Sequence, residues 1–107
     1  MALTHKLLAT GQFAATTAAI YTAPASTVGM VKAILLHNTN ATPEDVQIFF
    51  DGTADPTRIL KVTIASDETF EWSIGHMLVV DGNSSQVLNG DAQTASKVNY
   101  FIFGAEE

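Results

Sequence analysis

Apolar residues recur along this chain in short runs separated by clusters of turn-forming residues. These clusters are Thr10-Gly11, Ala23-Pro24, Asn38 to Pro43, Asp51-Gly52, Asp55-Pro56, Ser66-Asp67, Gly75, Asp81-Gly82-Asn83 and Asn89-Gly90-Asp91. The runs between them are too short for most helices, and their regular spacing predicts an all-β chain. Residues 3–9 and 15–23 are read as the first strands. In 29–38 strict alternation sets Val31, Ala33 and Leu35 on one face and Met30, Lys32, Ile34 and Leu36 on the other. With both faces largely apolar, this strand is expected at the centre of a sheet and covered on both sides.

The same period-2 rule orients the later strands. It groups Val46, Ile48 and Phe50 against Gln47, Phe49 and Asp51, and turns Leu60, Val62 and Ile64 inward with Lys61 and Thr63 outward. Phe70, Trp72 and Ile74 oppose Glu71 and Ser73. Residues 77–80 and 85–88 read as short strands about a tight connection at Asp81-Gly82-Asn83. In 96–103, Val98, Tyr100 and Ile102 face inward, with Phe101 and Phe103 opposite, and the tail Gly104-Ala105-Glu106-Glu107 is expected to be exposed. Thr42-Pro43-Glu44-Asp45 carries a helix-start signature, but the β-prone residues that follow favour a turn.

Roughly eight or nine short strands with these turns predict one domain, residues 1–107, built as an antiparallel β-sandwich with Greek-key connections of the jelly-roll kind. An immunoglobulin-type sandwich is the near alternative, although Trp72 has no flanking cysteines. Residues 1–17 are either an ordinary first strand or an arm that adds a strand to a neighbouring subunit.

Composition narrows the function. Of the 107 residues 47% are hydrophobic but only 15% charged, where about 25% is usual for a soluble protein. So weakly charged an exterior is expected where other subunits cover it. Five basic residues, Lys6, Lys32, Arg58, Lys61 and Lys97, are scattered among eleven acids for a net charge of −6, which disfavours a nucleic-acid partner. No apolar run is long enough to span a membrane as a helix, and the N-terminus lacks the basic-then-apolar order of a signal peptide, so folding in a cytoplasm is expected. With no cysteine there is neither a disulfide framework nor a thiolate metal site.

Candidate chemistry is sparse. His5, His37 and His76 sit on separate segments without the paired His-x-His and Glu of a cupin site. Asp51-Gly52-Thr53-Ala54-Asp55 and Asp81-Gly82-Asn83 look like calcium-loop fragments but lack the alternating ligands and closing Glu. Turn chemistry accounts for both. Asp67, Glu68 and Glu71 form the densest acidic group, yet 68 and 71 point to opposite faces of a strand. Ser84 and Ser85 have no identifiable base, and no nucleophile elbow or phosphate loop is present. These observations give no catalytic residue, no metal and no cofactor. What stands out is apolar excess on the second face of several strands: Ile34, Leu36, Phe49, Val79, Phe101 and Phe103 are the candidate interface.

The segments Ala19-Ile20-Tyr21-Thr22-Ala23-Pro24-Ala25 and Val31-Lys32-Ala33-Ile34-Leu35-Leu36-His37-Asn38-Thr39 together resemble a pattern common in small structural proteins of tailed bacteriophages. Asp67-Glu68-Thr69-Phe70-Glu71-Trp72, Met77-Leu78-Val79-Val80-Asp81-Gly82 and Val98 to Glu107 continue the resemblance, which covers most of the chain from Leu7 onward. It implies a jelly roll or related sandwich that assembles as a homotrimer in the virion, made in the host bacterial cytoplasm and partnered by the major capsid protein or other virion proteins. With no Gly-rich shaft repeat and no heptad, a head decoration or cement protein is the nearer type. The alternative is a tail-fibre or baseplate module that grips host polysaccharide with an exposed Trp72, Tyr21 or Tyr100. A cupin-like enzyme is a third possibility and would require bound metal.

Overall fold

A computed structural model describes residues 4–107, with the side chains of residues 4, 5 and 75–77 left aside. Eight strands form in chain order: β1 (Thr4–Gln12), β2 (Ala18–Thr22), β3 (Val28–Asn38), β4 (Glu44–Phe50), β5 (Arg58–Ile64), β6 (Thr69–Asp81), β7 (Val87–Ala92) and β8 (Val98–Glu106). They build two four-stranded antiparallel sheets, ordered β1-β8-β3-β6 and β2-β7-β4-β5.

Pairing follows a single rule. β1 pairs with β8, β2 with β7, β3 with β6 and β4 with β5. The chain is thus a long hairpin, bent at the 51–57 loop and wound up so that successive pairs fall in alternate sheets, which is the jelly-roll winding. Only the β4–β5 connection stays within one sheet. The Asp81-Gly82-Asn83 segment accordingly joins no hairpin: a 3-10 turn at Gly82–Ser84 carries the chain from one sheet to the other, with Asp81 accepting a hydrogen bond from the Asn83 amide. Residues 69–74 and 77–80, expected as separate strands, belong to β6, whose pairing with β3 jumps from Ser73 to Leu78.

Tight turns place five non-glycine residues in the left-handed region, Ser26, Asp51, Asp67, Ser85 and Ser96. Asp and Ser suit such sites because their short polar side chains bond locally to the backbone.

Between the sheets lies one core, built from Phe13, Ile20, Tyr21, Val31, Ile34, Leu36, Val46, Ile48, Ile64, Val80, Leu88, Val98 and Ile102. Phe70, Trp72, Ile74, Leu78 and Tyr100 pack against it, and the Phe13 and Tyr100 rings meet at 5.0 Å. The inward sets expected for 46–50, 60–64, 70–74 and 98–102 all point this way. In β3 the expectation fails, for a local reason: the ladder slips between Val31 and Ala33, leaving Lys32 as an extra residue. Such a bulge reverses the alternation beyond it. Val31 therefore shares the inner face with Ile34 and Leu36, while Ala33 and Leu35 turn outward.

Two buried polar residues tie down the loops at one end. Asn38 donates to the carbonyls of Thr42 and Ile64 and accepts from the Asn40 amide, while Glu44 accepts from Asn40 and from the Thr94 amide and hydroxyl. At these positions partners within the chain replace water, so burial leaves no polar group orphaned.

Candidate functional site: the outer face of the β1-β8-β3-β6 sheet

Because inner residues alternate with outer ones, the ladder register specifies what this sheet shows to solvent. Its outer face is laid out in rows that cross the strands. One row runs from the covered Ala105 to Met30 and Val79, and the next runs Leu7, Phe103, Ala33, Ser73. A third runs Thr10, Phe101, Leu35, Glu71, and the last runs Gln12, Asn99, His37, Thr69. Leu7, Phe103 and Val79 are 44%, 42% and 45% exposed, and Met30, Leu35 and Phe101 are half-buried. Lys6, Leu7, Lys32, Phe103 and Gly104 line a shallow depression on this side.

Hydrogen bonds close the polar end of the face. Gln12 Nε2 donates to Asn99 Oδ1 at 3.0 Å, His37 Nδ1 lies 2.8 Å from Thr69 Oγ1, and His37 Nε2 lies 3.3 Å from Asp67. A hydroxyl, an imidazole and a carboxylate in line have the outline of a nucleophilic triad. Here Asp67 stands 89% exposed, where water competes for every bond. The arrangement pins the β3–β6 end, and no catalytic step follows from it.

Of the residues singled out from the sequence, the structure gathers three on this face: Val79, Phe101 and Phe103. Ile34 and Leu36 are fully buried between the sheets, placed there by the Lys32 bulge, and cannot contact another molecule without unfolding. Phe49 is also buried, on the far side of the other sheet. There the loop after β4 is drawn back by Asn89, the ladder partner of Phe49, which donates to the Gly52 carbonyl at 2.9 Å. Leu7, Met30 and Leu35 belong to the face but were not marked by alternation alone. Leu7 lies within the N-terminal segment, and the other two needed the bulge to be known. His5 and His76 have side chains outside the described set.

Within the chain the N-terminal segment supplies β1. Residues 4–12 pair with β8 along their length, with one bulge between Leu7 and Ala9, while residues 1–3 lie outside the described range. The C-terminal residues expected as an exposed tail are held instead. Gly104 and Ala105 are buried, and the Val28 amide and carbonyl each bond to Glu107 at 3.0 Å. A Cβ at Gly104 would come within 1.9 Å of the Met30 carbonyl, so only glycine lets β3 and β8 approach there.

One charged cluster joins the two sheets. Lys6 Nζ of β1 lies 2.6 Å from Glu106 of β8, and the Tyr21 hydroxyl of β2 donates to the same carboxylate at 2.8 Å. Burial pushes Glu106 up, but the hydrogen bonds from Lys6 and Tyr21 and the lysine charge outweigh it and hold the carboxyl below its ordinary range. Tyr21 moves the other way. Burial first, then its bond to Glu106 and that group's charge, push its hydroxyl well above the usual tyrosine range.

The aromatics needed for a sugar platform are turned inward: Tyr21 belongs to the core, and Trp72 and Tyr100 pack against it. Among the described residues no three His, Asp, Glu or Cys side chains gather as a metal site would require.

No protein-family model matches the chain, and no curated protein matches it. A solved structure described as the crystal structure of infectious bursal disease virus VP2 subviral particle is similar at 15% identity and a TM-score of 0.35. The similarity covers 98% of this chain and 32% of that one, so the chain spans about a third of the length of the protein it matches.

Proposed function

We propose that the chain is a non-enzymatic structural protein of a bacteriophage virion, a head decoration or cement subunit that associates with itself and with the capsid protein. The observation that carries this reading is the apolar outer face of β1-β8-β3-β6. A contiguous apolar surface with a polar rim, on a small domain with few charged residues, is what a subunit built to be covered presents. The jelly roll is compatible, being common among viral capsid domains, but it also serves lectins and cupins, so the weight rests on the face. Of these alternatives the lectin-like one has Tyr21 buried and Trp72 and Tyr100 partly buried against the core.

In this role the protein works by burial. Each copy removes apolar area from water where subunits meet, and many weak contacts on one particle sum to a strong clamp. Immunogold labelling of particles banded from a culture that carries the gene tests the assignment. Label on heads supports it; label on tails transfers the protein to the tail-module alternative; unlabelled particles with all the protein free in the lysate overturn the virion role.

A further inference from the structure

We infer that the occupant of the apolar face is a second copy of this chain, packed face to face about a two-fold axis that crosses the strands at the level of Ile34 and Ile102. The inference rests on the reading of the chain as an assembly subunit and specifies its first contact.

Area supplies the first argument. The sheet is four strands wide and its β3 is 11 residues long. At about 4.8 Å per strand and about 3.3 Å per residue the face spans roughly 19 by 36 Å, or about 700 Å². A standard stable interface buries about 800 Å² per partner, so full overlap of two such faces approaches that size and partial overlap falls short.

Full overlap requires the axis to pass through the middle of the face, and in the inferred dimer it crosses the strands. Ile102 is the midpoint of β8, and its ladder partner in β3 is Ile34. Rotation about an axis at this level exchanges the row of Phe103 with the row of Phe101, so each aromatic meets the other across the interface. It also sets Ala33 of each copy at the level of Leu35 in the other, with the bulged Lys32 next to it in the chain and Glu71 of the other copy one strand away. Lys32 and Glu71 are both exposed and form no ion pair with each other within the chain. The face is thereby self-complementary in charge, whereas the molecule as a whole carries −6 and repels its own kind elsewhere.

Symmetry supplies the third argument. The homotrimer implied by the resemblance closes through two different patches, one on each side of every contact. Among the described residues, three of the four exposed large hydrophobics, Leu7, Val79 and Phe103, lie on this one face, and Ile59 on the β5 edge stands apart. A single patch is satisfied by meeting itself.

The experiment is sedimentation equilibrium across a hundredfold dilution, with circular dichroism to verify folding of every variant. Wild-type protein is expected at twice the 11.4 kDa chain mass. Phe103→Asp is expected to weaken association by more than about a hundredfold, as loss of a central aromatic anchor does, while Ile59→Asp leaves it unchanged. Lys32→Glu and Glu71→Lys should each weaken it by about fivefold, and the double variant should recover it, because the swap restores a contact that pairs residue 32 of one copy with residue 71 of the other, while the doubled mass identifies that contact as two-fold. A monomer at every concentration, a trimer indifferent to Phe103→Asp, or a double variant no tighter than the singles overturns the inference. These failures are separate from failure of the virion role: a monomer found on heads by immunogold removes the dimer alone, and a dimer never found on particles removes the role alone.

Discussion

The two sheets of this sandwich share a core but present opposite outer surfaces. On β2-β7-β4-β5, beside the buried Phe49 and the exposed Ile59, several outward polar side chains satisfy one another. Gln47 donates to Asp91 and accepts from Arg58, Thr17 donates to Asp91, Thr63 donates to Asp45, and Arg58 also reaches Asp55. On β1-β8-β3-β6 the corresponding positions hold Leu7, Phe103, Phe101, Leu35, Met30 and Val79, which have nothing to satisfy and are left to water. A polar ladder gains little from being covered, because each bond would be exchanged for another. An apolar face gains in proportion to the area covered. The difference teaches that one outer surface is rich in polar contacts made within the chain, while the other gains from being covered.

The sharpest way to break the comparison is to cut neighbouring leucines of β3. Leu36→Ala removes a fully buried side chain and is expected to cost about 2 to 5 kcal/mol in urea denaturation, whereas Leu35→Ala is expected to cost the folded chain under about 1 kcal/mol. Equal costs would mean that the Lys32 bulge does not set the parity of this strand. Next in size is the polar face. Asp91→Ala leaves the Thr17 hydroxyl and the Gln47 amide without their acceptor and is expected to cost about 1 to 2 kcal/mol, against about 0.5 kcal/mol or less for Glu71→Ala on the apolar side. A reversed order would show that the ladder is ornamental.

The tie between the sheets gives a pH test. A carboxyl held below its ordinary value contributes stability that is present above the unfolded-state value, about 4.3 for Glu, and is lost as pH falls through the lower folded value. Tyr21→Phe removes one of the bonds that hold Glu106 down and is expected to lower stability at neutral pH by about 1 kcal/mol. In thermal melts from neutral to acid, the variant should converge on the wild type once pH has fallen through the lowered folded value, where the carboxyl is protonated in both. Parallel curves over the whole range would mean that Tyr21 acts through packing alone.

The smallest expected effect is that of salt on association. Screening of the −6 charge on each chain should tighten self-association a few-fold between low and physiological ionic strength, since the exposed Lys32–Glu71 pairs contribute little against it. Light scattering that shows dissociation on added salt would mean that ionic contacts, and not the apolar rows, hold the copies together.

Much of this was legible in the chain. Turn spacing and period-2 alternation predicted a β-sandwich, which is what forms, and the inward sets of β4, β5, β8 and the first half of β6 were readable because burial of one sheet face is a local, periodic constraint. Alternation also assigned Phe101 and Phe103 to the face opposite the core. It misplaced Ile34 and Leu36, because one bulged residue shifts every later position and the ladder slip that creates it depends on the partner strands. The held C-terminus escaped notice for a similar reason: Gly104 to Glu107 are fixed by β1, β2 and β3, all distant in sequence.

The sequence by itself determined the all-β class, most of the strands and the weakly charged exterior, since these follow from the order of side chains along a backbone with few allowed conformations. Only the tertiary structure decided the winding into pairs 1–8, 2–7, 3–6 and 4–5, and the convergence of Leu7, Met30, Leu35, Val79, Phe101 and Phe103 on one surface. Those residues come from four strands whose adjacency is set by long-range pairing, and a linear pattern carries no record of which strand will lie beside which.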